Sequence, residues 1–99
     1  MSNRELARLN GLNRVIHEPA RLMIVALLSG VKEADFVFLM RETRLTKGNL
    51  SSHLAKLEIA GYVTVTKTYR GKIPLTVISL TQSGRIAFDA YRKELRQIV

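Results

Sequence analysis

The run from Leu45 to Val63 constrains the fold more than any other part of the chain. Leu50, Leu54 and Leu57 recur at helical spacing. With Leu50 placed at 0°, the other two fall within about 40° of it at roughly 100° per residue. Thr46 stands ahead of them as an N-cap, its hydroxyl suited to accept from the N–H of Asn49. Gly61 stops the helix. From Tyr62 the period changes to 2, with Val63 and Val65 alternating with Thr64 and Thr66, the pattern of a half-buried strand. The helix face opposite the leucines carries Gly48, Asn49, Ser52 and Lys56. It is small, polar and free of carboxylates, so it can lie close against a polyanionic surface.

The charge of the chain points the same way. Its 99 residues hold 16 Lys and Arg against 8 Asp and Glu, a formal net charge of +8. Such an excess favours an anionic partner. The acids are also segregated. None lies between Glu42 and Glu58, where Arg44, Lys47 and Lys56 stand. None lies between Glu58 and Asp89, where Lys67, Arg70, Lys72 and Arg85 stand. A merely solubilising surface would also be basic, but it would not need its acids cleared from two adjacent segments.

The length fits one small domain, residues 1–99, whose core is thin enough that oligomerisation would add stability. With no cysteine in the chain, disulfides and thiolate metal sites are excluded. His17 and His53 are the only histidines, and neither has partners at ligand spacing, so no metal and no cofactor is expected. The longest apolar stretch, Leu22 to Leu28, is too short to span a bilayer. The first residues are charged and polar, unlike a signal peptide. No membrane partner and a cytoplasmic location are therefore expected.

Five further elements follow from periodicity and caps. Ser2 to about Leu12 reads as a helix with Leu6, Leu9 and Leu12 on one side. Val15-Ile16-His17 is a connector. Pro19 suits the first turn of a second helix, which runs to about Ser29 and stops at Gly30. Asp35 caps a third helix over about Phe36–Thr43, although Phe36-Val37-Phe38 would also suit a strand. Arg70-Gly71-Lys72-Ile73-Pro74 is a turn or loop, and Leu75 to Leu80 a second strand, giving a hairpin with a basic tip. Thr81 caps a last helix to about Gln97, along which Phe88, Tyr91, Leu95 and Ile98 are spaced 3, 4 and 3. Two consecutive helices followed by a hairpin make a winged helix-turn-helix with additional N- and C-terminal helices, an α+β fold that is mainly α.

Three stretches in this order resemble the small winged-helix transcriptional regulators of the MarR and ArsR superfamily, in their compact form of a DNA-binding domain with short terminal helices. Pro19-Ala20-Arg21-Leu22-Met23-Ile24-Val25-Ala26-Leu27-Leu28 is similar to the family's first core helix. Thr46 to Val63 is similar to its recognition helix and the exit into the wing. Leu80-Thr81-Gln82-Ser83-Gly84-Arg85 is similar to the family's Leu-Thr-x-x-Gly after the wing. The likeness spans about Pro19 to Arg85. The metal-sensing branch uses clusters of cysteine or of histidine and carboxylate, which this chain lacks.

The expected function is sequence-specific binding of double-stranded DNA by a dimeric transcriptional regulator. The recognition helix, about 46–60, would enter the major groove, and the wing, about 67–75, would meet the backbone or minor groove. The candidate contacts on the helix are Thr46, Lys47, Gly48, Asn49, Ser51, Ser52, His53 and Lys56. Those on the wing are Lys67, Arg70 and Lys72, with Arg70 the groove candidate. Asn49 and Ser52 can bond base edges, whereas the lysines mainly see phosphates. His53 lies at the boundary of the two helix faces, where it is either packed or in reach of phosphate. The terminal segments 1–16 and 82–99 carry the apolar residues Leu6, Leu9, Phe88, Tyr91, Leu95 and Ile98, which either pack within one chain or, as the resemblance implies, build a homodimer. A winged-helix module for protein contacts and a non-specific nucleic-acid binder are the alternatives. No Gly-rich phosphate loop, nucleophile–base set or paired carboxylates mark an enzyme.

Overall fold

The computed structural model describes residues 2–99; Met1, with which the expected domain and its first terminal segment begin, lies outside the described residues. The elements are α1 (Asn3–Asn10), α2 (Pro19–Ser29), β1 (Ala34–Asp35), α3 (Phe36–Thr43), α4 (Lys47–Ile59), β2 (Val63–Arg70), β3 (Ile73–Leu80) and α5 (Gln82–Ile98). The three strands form an antiparallel sheet in the order β1-β3-β2. This is a winged helix-turn-helix: α2 packs on both α3 and α4, and β2 and β3 form the wing.

One core joins these elements. Ile16, Ile24, Val25, Leu28, Leu39, Leu50, Leu57 and Ile78 are fully buried, and Leu54 and Val63 nearly so. The three leucines of α4 thus supply its inward face, at the spacing the helical period requires. Ile16 belongs to the connector and not to a helix, yet it seals the core between α1 and α2.

Several elements differ from expectation at their ends. Helix α1 is shorter than Ser2–Leu12, because Asn13 takes the chain out of the helix: its Oδ1 accepts from the N–H groups of Val15 (3.0 Å) and Ile16 (3.2 Å). Asp35 caps α3 as expected, accepting from Phe38 N–H at 2.8 Å. It also pairs with Val77 in β1, a two-residue strand too short to show in a periodicity. The wing is longer than expected. Arg70 pairs with Ile73, so the expected five-residue loop is a two-residue turn, Gly71-Lys72, with Gly71 at φ 63°. Pro74 therefore lies inside β3, opposite Tyr69. It is tolerated there because β1 reaches only Val77 and Ile78, leaving the outer edge of β3 open beside it.

The terminal helices pack on each other. Phe88, Tyr91 and Ile98 are 8%, 4% and 7% exposed. Of the two coverings the sequence left open for them, packing within one chain or a homodimer, the protomer's own core takes up these three, because the apolar stripe on α5 is covered by α1, the connector and α2. Leu9 and Leu95 are half-buried, and Leu6 is exposed.

Candidate nucleic-acid interface

Helix α4 is fixed at both ends. At its start, Thr46 Oγ1 accepts from Asn49 N–H at 3.1 Å. At its end, Gly61 adopts φ 80°, Gly61 N–H donates to Glu58 C=O (2.9 Å) and Tyr62 N–H to Leu57 C=O (3.0 Å). This is a Schellman cap, which needs the left-handed conformation that glycine adopts without strain. The buried turn residue Thr43 donates its hydroxyl to Leu39 C=O (2.7 Å) and accepts from Leu45 N–H (3.3 Å), bracing the link from α3 to α4.

The sequence-predicted helix residues separate into two groups. Thr46, Lys47, Gly48, Asn49, Ser51, Ser52 and Lys56 are all exposed. A Cβ on Gly48 would meet nothing within 4 Å, so no internal contact requires glycine there. His53 departs from the group. Its side chain is 20% exposed and turned towards α2, with Nδ1 3.1 Å from Arg21 Nη1 and 3.4 Å from Glu18 Oε2. Arg21 in turn donates from Nε to Val15 C=O at 2.6 Å and lies 3.6 Å from Glu18. Guanidinium only donates, so a neutral His53 accepts at Nδ1. A protonated ring would instead turn that nitrogen to Glu18. His53 is thus a packed link between α4 and α2, the first of the two placements the sequence left open for it, and it stands apart from the exposed residues of the set.

Glu18 is the unexpected centre of this link. It is the N-cap of α2, accepting from Ala20 N–H (2.9 Å) and Arg21 N–H (3.0 Å). Burial pushes its carboxyl up, but the two backbone hydrogen bonds, with the charges of His53 and Arg21, outweigh burial and hold it below the usual 4.5. Glutamate is not among the strongly preferred N-caps, so only Pro19 at the first helical position hinted at its role.

The exposed face of α4 also includes Ala55 and Ile59, the latter 87% exposed. Both lie in line with Gly48 and Ser52 at helical spacing, and the polarity pattern had concealed them.

Strand alternation divides the wing. Val63 and Val65 point to the core, so Lys67 and Tyr69 continue that face towards the tip. Lys67 lines a groove of about 450 Å³ with Lys47, Ser51, Ala55 and Glu58 of α4. Arg70 leaves on the reverse face and lines a separate hollow with Val31, Phe38, Leu75 and Val77. Lys72 is at the turn. The basic tip is therefore two-sided, with Lys67 and Arg70 on opposite faces.

The wing and α4 are joined to α5 by the Leu80–Arg85 segment. Thr81 caps α5, its Oγ1 accepting from Gly84 N–H at 2.9 Å and donating to Gly61 C=O at 2.6 Å. Thr81 N–H donates to Tyr62 C=O at 3.0 Å. Gly84 packs so tightly that a Cβ would run into this same carbonyl.

Comparison with known proteins agrees with this architecture. Residues 20–99 match the family described as winged helix DNA-binding domain. The chain belongs to that family. Among its relatives is the uncharacterized protein MJ0432 of Methanocaldococcus jannaschii, 37% identical over 86 residues, which are 86% of this chain and 92% of that one. A transcriptional regulator homologue from Pyrococcus horikoshii OT3 has the same structure at a TM-score of 0.87 and 28% identity, covering 96% of this chain and 93% of that one. The fold extends to NadR, solved in complex with 4-hydroxyphenylacetate (TM-score 0.72, 21% identity, 95% of this chain and 64% of that one). It also extends to the ArsR family regulator RHA00566 (TM-score 0.59, 18% identity, 93% and 90%). The family is a DNA-binding one, and its fold is shared with these transcriptional regulators. No helix among the described residues is long and apolar enough to cross a membrane.

Proposed function

We propose that this winged-helix domain is a sequence-specific regulator that inserts α4 into the major groove of duplex DNA and sets its wing on the backbone or minor groove. The observation that carries this reading is the exposed face of α4, where Lys47, Gly48, Asn49, Ser51, Ser52 and Lys56 stand clear of the core. Thr46, Lys47 and Lys56 position the helix through phosphates. Asn49 and Ser52, near the end of α4 that faces bases in helix-turn-helix proteins, read base edges. The two-sided wing supports a tip entering a groove edge-on, with Lys67 directed to one wall, Arg70 to the other and Lys72 at the turn.

A homodimer completes the proposal, since it would present two copies of α4 to successive turns of a duplex, roughly 34–36 Å apart. Its surface would come from the terminal apolar residues the protomer leaves uncovered: Leu6, Ile86 and Val99 at 49%, 62% and 81% exposure, with Leu9 and Leu95 half-covered.

Selection of bound duplexes from a random pool tests both parts. The expected result is a preferred half-site, repeated about one helical turn away. Asn49→Ala and Ser52→Ala should each cost about 1–3 kcal/mol at that site and much less on random duplex. An unchanged ratio of specific to non-specific affinity in folded variants would mean that these residues read no bases. Enrichment of no sequence at all would favour a non-specific binder.

A further inference from the structure

Arg44 occupies the turn between α3 and α4, and its backbone is unusual. It adopts φ 59°, ψ 20°, the left-handed conformation, as the C-cap of α3, with its N–H donating to Met40 C=O at 3.0 Å. The other positive-φ positions among the described residues, Gly61 and Gly71, are both glycine. An L side chain is strained in this conformation, and glycine is not. Folding alone therefore favours glycine at position 44, and the chain carries its longest cation there instead.

No side-chain partner inside the protein accounts for that choice. Arg44 is exposed, and no hydrogen bond or ion pair engages its guanidinium among the described residues. It stands two residues ahead of the Thr46 cap and three ahead of Lys47, in the acid-free stretch between Glu42 and Glu58. A backbone outlier whose charged end engages no partner within the fold points to a use outside it. The planar guanidinium, always charged and suited to two-point contact with phosphate oxygens, identifies the chemistry.

We propose that Arg44 is a phosphate clamp at the helix-turn-helix turn, which fixes the entry of α4 on the duplex and for which the fold carries a strained cap. This rests on the DNA-binding reading above. The competing explanation is internal: a cation at the end of α3 interacts favourably with the helix dipole. The two explanations give stability effects of opposite sign.

The test compares Arg44→Gly, Arg44→Ala and Arg44→Lys in thermal melts and in titrations of a random-sequence duplex at 50 and 200 mM salt. The proposal expects Arg44→Gly to melt at or above the wild type while binding more weakly. Arg44→Ala, which keeps the strain, should melt below Arg44→Gly but lose the same affinity. A variant that neutralises one phosphate fewer has a salt slope shallower by about 0.9. The wild type should therefore lose about 3.5-fold more affinity than Arg44→Gly between the two salt concentrations. Arg44→Lys should retain most of the salt slope. Unchanged affinity in Arg44→Gly and Arg44→Ala, with lower melting temperatures in both, would overturn the proposal in favour of the dipole role. A wild-type chain that binds no duplex would overturn the DNA-binding reading itself, and this inference with it.

Discussion

Gly48 and Gly84 form a matched pair: both lie in the first turn of a helix, and Gly→Ala at either position has the same intrinsic effect on the helix. Alanine is favoured over glycine by up to about 1 kcal/mol. The surroundings decide the outcome. At Gly48 the new methyl meets nothing, so the helix gain is uncancelled and the melting temperature should rise by up to about 4–8 °C for a domain of this size. At Gly84 the methyl collides with the Tyr62 carbonyl, which is backbone and cannot swing aside. The start of α5 must then back away from the α4–β2 junction, weakening the Thr81 N–H bond to Tyr62 and the Thr81 hydroxyl bond to Gly61. Two hydrogen bonds at about 1 kcal/mol each, with about 1–3 kcal/mol of overpacking strain, exceed the helix gain. A net loss of at least about 2 kcal/mol lowers the melting temperature by roughly 8–16 °C. Circular-dichroism melts of both variants provide the assay, and duplex titration of Gly48→Ala adds a second readout. If α4 approaches the duplex closely, that variant should be more stable and yet bind more weakly. Gly84→Ala melting at or above the wild type would refute the reasoning on the junction, and Gly48→Ala binding as the wild type does would refute close approach.

Other perturbations separate the core from the interface. Leu54→Ala should destabilise the fold by about 2–5 kcal/mol and impair binding to every duplex together, as urea unfolding and titration would report. Arg70→Ala with Lys72→Ala should weaken binding to all sequences by similar factors and reduce the salt slope by about 1 for each phosphate no longer engaged; unchanged binding to random DNA would exclude an electrostatic role for the tip. Because the Glu18 carboxyl is held below its ordinary 4.5 in the folded chain, its contribution is present above that value and is lost as the pH falls through the folded value. Glu18→Gln, which keeps an acceptor for the cap but loses the charge, should therefore be less stable than the wild type at neutral pH, with the gap closing in acid; a gap independent of pH would show that the charge is not involved.

What was legible in the sequence is what local rules determine. The α4 leucines, the Thr46, Asp35 and Thr81 caps and the switch from period 3.6 to 2 after Gly61 each follow from neighbours in the chain, and each appears in the fold. Distant contacts were not legible. Nothing near His53 in the chain foretells Glu18 and Arg21, because the three meet only when α2 crosses α4. The α5 stripe could be read as an interface or as core, since periodicity marks an apolar face without naming what covers it. Lys67 and Arg70 are close in sequence and share a charge, which groups them. With the hairpin turn shortened to Gly71-Lys72, strand alternation assigns them to opposite faces.

The exposed face of α4 gains its definition from contacts made elsewhere on the helix. Its leucines bury one side, but an apolar face alone permits sliding and rotation, since it fixes no register. Directional bonds supply that register. Midway along, His53 meets Arg21, which also holds the connector through Val15. Just beyond the helix end, the Gly61 and Tyr62 carbonyls accept from Thr81, and the Tyr62 hydroxyl accepts from Asn13 Nδ2 at 2.8 Å. Arg21 and Asn13 both link α4 or its exit to the segment between α1 and α2. The connector next to the terminal helices is therefore tied to the helix that presents Asn49 and Ser52. Movement of α1 and α5 relative to the rest of the domain would therefore strain the Thr81 bonds to Gly61 and Tyr62 together with the Asn13–Tyr62 and Arg21–His53 contacts, all of which hold α4 in place.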